Sequence, residues 1–265
     1  VNITTRDGTL TIIPLTDNAV RMIFSKQVYR VMPELVYVEN LKNPTFNVKD
    51  NNDKVSICLK NMTIAVDRNT GLVVYLDKNG KQILAENGRS LVHSFVGNEK
   101  TYIAEQHFAS PSNEHQYGLG QFQDGYLDVR GLSRRLTQVN TQISIPMILS
   151  NKGYGLLWNN YGLVDFNPSD NNVTLKKNAE GGDVTEVNVT TTAGNKKERR
   201  ESNVFEADVN IAQEGDYSFL LDVGQKMARK LNLEIDGHRL INMENLWLPP
   251  TSSVIAHLSA GIHHV

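Results

Sequence analysis

At 265 residues with 40% hydrophobic content, the chain is long enough to bury a sizeable core, as one large β domain or two smaller ones. Lysine and arginine number 27 against 29 acids, a formal net charge of -2, so no long-range positive field exists to hold nucleic acid or an anionic membrane. No apolar run approaches the roughly 20 residues that span a bilayer, and Cys58 stands alone, which excludes an intrachain disulfide. Flanked by Ile57 and Leu59, Cys58 reads as a small buried core residue.

In chain order, residues 10–13, 19–24, 55–60, 62–67 and 72–76 are short β-type runs without helical periodicity. Between them, Arg68-Asn69-Thr70-Gly71 and Asp77-Lys78-Asn79-Gly80 are four-residue turns closed by glycine. Strands at this spacing predict an antiparallel meander and hence a sandwich. Tyr117-Gly118-Leu119-Gly120-Gln121 then sets two glycines where a backbone turns sharply or approaches another closely. A long loop over residues 122–142 follows, rich in amides and carboxylates. Residues 143–149 and 154–158 form a hairpin about the turn Ser150-Asn151-Lys152-Gly153.

Composition shifts after Phe166, and residues 169–182 read as a linker. Further β-type runs cover residues 173–177, 184–192, 204–211, 217–224 and 231–238, the last ending in an Ile-Asp-Gly turn. The patch Lys196-Lys197-Glu198-Arg199-Arg200 reads as a solvated loop or strand edge. Residues 225–230 are the one rival to strand in this half and are too short for a stable helix.

Few residues suggest chemistry. The amides and arginines of the 122–142 loop present hydrogen-bond donors and acceptors at fixed geometry, and long loops also need such side chains for their own backbone groups. Trp158 belongs in the core, while Trp247, before two prolines, is a possible stacking platform. His263-His264 has no carboxylate or cysteine at metal-ligand spacing, so neither a metal nor a cofactor is expected.

The order YGLGQ, amide-rich loop, IPMILS and GYGLLW resembles the β-sandwich domain that precedes the catalytic barrel in glycoside hydrolase family 31, which contains α-glucosidases and α-xylosidases. The RNTG and DKNG turns between strands share that resemblance and widen it to residues 1–168. The later order GDYSF, LDVGQ, IDG, NLWLPP and AGIHH resembles a protective-antigen-type β-sandwich module, which some bacterial members insert into this domain. The resemblance implies an all-β chain. A large antiparallel, galactose mutarotase-like β-sandwich (1–168) and a linker (169–182) precede a second, incomplete sandwich module (183–265).

It also implies a function: the non-catalytic N-terminal part of an α-glycosidase that hydrolyses α-linked oligosaccharides. α-Xylosidase is preferred to α-glucosidase, because the second module resembles those of xyloglucan-degrading members. The expected partners are the catalytic barrel of the parent chain and the oligosaccharide, with no nucleic acid and no membrane span. A periplasmic or extracellular setting is expected, with a lipoprotein anchor on the parent as one form of it. The family's loop before the IPxxxS strand reaches the barrel mouth, which assigns substrate contact to Arg130, Gln138 and Asn140, with Trp247 as a fourth contact. Without the barrel that loop should be loosely held. The family nucleophile motif W-x-D-M-N-E has no match; Asn242-Met243-Glu244-Asn245 reads as a loop. Aldose mutarotases, which the sandwich also resembles, use histidine and glutamate as acid/base groups, but no matching motif surrounds His107, Glu114 and His115. The rival reading is a free-standing carbohydrate-binding or adhesion protein, separated from the first by whether the reading frame continues past Val265 into a barrel.

Overall fold

A computed structural model describes residues 1–27, 33–38, 41–180, 182–224, 230–244 and 248–265. These residues form an all-β, antiparallel sandwich and contain no helix. The chain divides into two compact units, one of Val1–Glu114 with Ser150–Tyr154, the other of His115–Leu149 with Gly155–Val265. Residues 225–229, most of the segment read as the rival to strand, and Trp247 lie outside the described residues.

The first unit opens with β1 (Asn2–Thr5), β2 (Gly8–Thr16) and β3 (Ala19–Ser25), a three-stranded antiparallel sheet. A six-stranded meander follows in strict sequence order: β4 (Asn47–Asp50), β5 (Lys54–Cys58), β6 (Met62–Asp67), β7 (Val73–Asp77), β8 (Gln82–Val96) and β9 (Glu99–Phe108). The inward residues of both sheets meet in one core. Ile3, Leu10 and Ile12 pack with Val55, Ile57, Ile64, Val66, Val73 and Leu84, residues that recur at period two along β2, β5 and β6. Each such side chain, fully buried, contributes about 1.5–3 kcal/mol.

The two glycine-closed turns form as expected, and an aspartate drives each. Asp67 Oδ1 accepts the N–H of Asn69 and Thr70 at 2.9 and 2.7 Å, and Asp77 Oδ1 accepts those of Asn79 and Lys81 at 2.8 and 2.9 Å. Gly71 and Gly80 then take φ of 72° and 79°. Cys58 is half-buried at the end of β5 instead of inside the core, because Val55 and Ile57 occupy the inward positions.

Glu114, almost fully buried, gathers three hydroxyls: Ser110 at 2.8 Å, Ser150 at 2.5 Å and Tyr154 at 2.6 Å. Ser150 and Tyr154 flank the Ser-Asn-Lys-Gly turn, so the carboxylate fixes the two ends of that turn. Burial alone would raise the Glu114 carboxyl. The hydroxyls of Ser150, Tyr154 and Ser110, with the Lys152 charge, outweigh it and hold the group below the ordinary glutamate value.

The second unit contains β10 (Gln116–Gln121), β11 (Arg134–Leu136), most of β12 (Ile143–Ser150) and β13 (Tyr154–Leu157), and β14 (Val164–Phe166). β10, β12 and β13 form one sheet, and β11 pairs with β14. After them come β15 (Lys176–Lys177), β16 (Val184–Thr191), β17 (Gly194–Glu201), β18 (Phe205–Glu206) and β19 (Asp208–Ile211). The last strands are β20 (Gly215–Asp222), β21 (Lys230–Ile235), β22 (His238–Glu244), β23 (Thr251–Leu258) and β24 (Gly261–His264). Their core is Ile211, Ile235, Ala256 and Leu258, continued by Leu233, Ile241 and Val254. The Ile-Asp-Gly turn is a hairpin turn with positive φ at Asp236 (50°) and Gly237 (78°). Residues 242–244, expected in a loop, lie in β22 instead, where Asn242 and Met243 pair with Asn232 and Leu231 of β21. Trp158 is half-buried just beyond β13, not in the core, and its backbone N–H donates to Pro146 O at 2.8 Å.

β10 and β12 approach more closely than side chains allow. A Cβ on Gly118 would lie 2.4 Å from Met147 O, and one on Gly120 would lie 2.0 Å from Ile143 O. Both glycines have positive φ, 126° and 103°, and the buried Leu119 between them is also at φ 66°, a conformation that costs on the order of 1–3 kcal/mol and persists only where packing enforces it.

Gly120→Ala should therefore lose about 3 kcal/mol or more in a urea melt, whereas Gly80→Ala, at similar positive φ but with nothing within 4 Å of the new Cβ, should lose about 1 kcal/mol. Equal losses would show that φ, and not the strand contact, sets the requirement. A second expectation concerns pH. Because the folded Glu114 carboxyl sits below its unfolded value of about 4.3, its stabilisation is complete above that pH and disappears as pH falls through the lowered folded value. The melting-temperature gap between the native protein and Glu114→Gln should be widest near pH 6 and narrow steadily below pH of about 4; a pH-independent gap would refute the role of the charge.

Candidate functional site

The 122–142 segment begins where the glycine-paired β10 ends, and polar contacts internal to the second unit shape it. Arg134 and Asp124 form a buried ion pair, with side chains 3% and 7% exposed, and the Arg134 guanidinium lies over the Phe122 ring at 4.1 Å from its centroid. Such a pair costs several kcal/mol to break, because the survivor is left charged and dry. Asp128 Oδ1 accepts the N–H of Gln116 at 3.0 Å and of Arg130 at 3.1 Å, while Oδ2 meets His115 Nδ1 at 2.7 Å. Burial raises the Asp128 carboxyl, but His115 and the two backbone N–H groups more than offset it and hold the group below the aspartate norm.

Long-range bonds then pin the segment to strands far along the chain. Ser133 N–H donates to Ser218 Oγ at 2.8 Å, Ser253 Oγ–H donates to Ser133 O at 2.6 Å, and Ile255 N–H donates to Tyr126 Oη at 2.9 Å. Val129, Leu132 and Leu136 are buried. Arg135 reaches Asp165 through Nε (2.9 Å) and Nη2 (3.2 Å), and Asp222 through Nη1 (2.9 Å). The expectation of a loosely held loop is thus corrected: the middle of the segment is packed within its own unit and contains a short strand.

The candidate contacts occupy different environments. Arg130 is half-buried beside the Asp128 turn. Gln138 is exposed, but its Oε1 accepts the N–H of Ser144 at 3.0 Å and so caps the start of β12. Asn140 is exposed at the tip of a tight turn closed by Val139 and Gln142, whose backbone groups exchange bonds at 3.3 Å. Gln138 and Asn140 therefore share one solvent-facing segment; Trp247 lies outside the described residues. The sequence reading missed the neighbouring cleft, whose lining includes Phe122, Asp124, Arg134, Gln142, Pro249 and Ser252. In it Arg134 Nε and Gln142 Oε1 are buried without partners among the described residues. No local signal marks that cleft, since its two walls are more than 100 residues apart in sequence.

Chemically the segment offers hydrogen bonds, and its carboxylates are each held by a partner. Asp124 is buried against Arg134, Asp128 is bound on both oxygens, and Asp165 and Asp222 clasp Arg135. Glu114 accepts from three hydroxyls, His107 lies exposed 3.7 Å from Glu105, and His115 meets Asp128. No group of three or more His, Cys, Asp or Glu that could hold a metal ion occurs among the described residues. No helix among them is long and apolar enough to cross a membrane.

Comparison with known proteins agrees with this arrangement. A curated alpha-xylosidase of Saccharolobus solfataricus is 34% identical over 161 residues, covering 56% of this chain and 22% of its own. An uncharacterized family 31 glucosidase of Pseudescherichia vulneris is 49% identical over 53 residues, covering 20% of this chain and 10% of its own. The chain thus spans less than a quarter of either relative. The crystal structure of an alpha-xylosidase of glycoside hydrolase family 31 from Xanthomonas citri superposes on 100% of this chain and 33% of its own, with a TM-score of 0.76 at 20% identity, a likeness of fold. That of a family 31 alpha-xylosidase from a soil metagenome, complexed with xylose, covers 62% of this chain and 27% of its own at a TM-score of 0.56 and 25% identity. The profile of the glycosyl hydrolase 31 N-terminal galactose mutarotase-like domain matches residues 9–167, more than half of the chain. The chain belongs to that family, and its residues 9–167 correspond to the N-terminal domain of a family 31 glycosidase.

Proposed function

We propose that this chain is the non-catalytic N-terminal part of an α-glycosidase that hydrolyses α-linked oligosaccharides, with α-xylosidase favoured over α-glucosidase. The match to an alpha-xylosidase at 34% identity over 161 residues carries the preference. In this reading residues 1–168 pack on a catalytic barrel and shape access to it, residues 169–182 link, and residues 183–265 belong to a protective-antigen-type module. The end of the profile match at residue 167 supports the first boundary, and the Ile-Asp-Gly hairpin with its following strands supports the last assignment. A periplasmic or extracellular location goes with the same reading.

The commitment of every carboxylate around the 122–142 segment to a structural partner supports a role in shaping access instead of in bond cleavage. Arg130, Gln138 and Asn140 are the proposed sugar contacts, with Trp247 as a fourth. Asn140 is the strongest of them, because its amide is exposed on a turn whose backbone bonds hold the geometry without it.

The purified 265-residue chain should release no chromophore from aryl α-xylosides or α-glucosides, while the full product of its gene should. Turnover by the chain alone, abolished by replacing one of its own carboxylates, would overturn the assignment. In the full product, Asn140→Ala should lower kcat/KM on oligosaccharides by about 2- to 13-fold, the effect of one lost hydrogen bond. Gln138→Ala, which strips the acceptor from Ser144 N–H, should show mainly as a lower Tm. An unchanged kcat/KM for Asn140→Ala removes that residue from the sugar site.

A further inference from the structure

β12 is inside out. Along an antiparallel strand with one wet face, apolar residues point to the core and polar ones to water. Here Ile143, Ile145, Met147 and Leu149 fall on one face and are exposed by 47%, 48%, 37% and 53%, while the intervening Ser144, Pro146 and Ile148 are half-buried or buried. The stripe continues onto β13, where Leu157 is also exposed. Gly155 keeps the surface flat: a Cβ there would lie 3.1 Å from Leu149 Cδ2 and 3.4 Å from Met147 Cε, so those side chains lie across the glycine. Neither strand carries a charged residue.

Another exposed ribbon of the same unit shows what a strand built for water looks like. β16 and β17 present Glu186, Lys196, Lys197, Glu198 and Arg200, linked by ion pairs across and along the ribbon. The β12–β13 stripe has none of these devices, and contiguous apolar patches of this kind mark surfaces that are covered.

We infer that the stripe of Ile143, Ile145, Met147, Leu149 and Leu157 is the seat of the remainder of a longer family 31 polypeptide, which would present an uncharged apolar surface to it. This rests on the reading of the chain as an N-terminal part. The occupant is argued from length: the matched region is 22% of the Saccharolobus solfataricus chain, so most of that relative lies outside it. A charge-free stripe selects its partner by shape and apolarity, which suits a surface tethered on the same chain and present at high effective concentration.

Peroxide oxidation of Met147, followed by mass spectrometry and referenced to Met22, tests this directly. Met147 should form sulfoxide at least about fivefold more slowly in the full gene product than in the 265-residue chain. Ile145→Lys should leave the Tm of the 265-residue chain within about 1 °C and lower that of the full product by more than about 3 °C. Equal Met147 oxidation in an active full product overturns the inference and leaves the α-glycosidase reading standing. Met147 protection in the 265-residue chain that is lost on dilution also overturns it, in favour of a second copy as occupant. A reading frame that ends at Val265 overturns both.

Discussion

Between residues 118 and 120 the backbone passes so near β12 that no Cβ fits, and much of the second unit depends on that contact. It forces two glycines and a left-handed leucine into one strand, sets where β10 stops, and fixes the point from which the 122–142 segment departs. A substitution there does not remove a side-chain contact. It pushes two strands apart, and with them the origin of every polar tie made by the segment that follows.

Those ties use up the chemistry that the segment seemed to offer. The carboxylates in and around this long loop act as struts. Asp124 answers the Arg134 charge in a dry site, Asp128 folds a turn around its own two oxygens, and Asp165 and Asp222 share one guanidinium. Among the described residues the exposed amides of Asn140 and Gln138 stand beside the cleft edge where Arg134 Nε and Gln142 Oε1 are unsatisfied.

The fold was legible wherever local chemistry decides it. Asp67 and Asp77 drive the turns their sequences announce, and β6 spans the residues its alternation predicts. The ribbon of β8 and β9 was not legible, because a bulge between Glu86 and Gly88 breaks the alternation inside one long strand. Residues 242–244 resembled a loop because their polarity is high, and only pairing with Asn232 and Leu231 makes them strand. At the candidate site, residue types suited to sugars could be read. Their accessibility could not, since Gln138 is drawn onto Ser144 by a turn that no single-residue preference encodes. The Arg134–Asp124 pair and the Glu114 cluster needed the assembled unit to become visible.

The bond from Ser253 to Ser133 spans 120 residues of sequence, whereas the meander of the first unit is built from neighbours. At about 5–20 residues per second, the ribosome delivers Ser253 roughly 6–24 s after Ser133. The meander can close hairpin by hairpin as it emerges, while the segment around Ser133 must wait for a strand not yet made. During that interval its apolar residues Val129, Leu132 and Leu136 lack their final cover. The order of synthesis thus leaves the segment around Ser133 without a long-range tie until the strand of Ser253 has been made, an interval in which a chaperone would have apolar surface to cover.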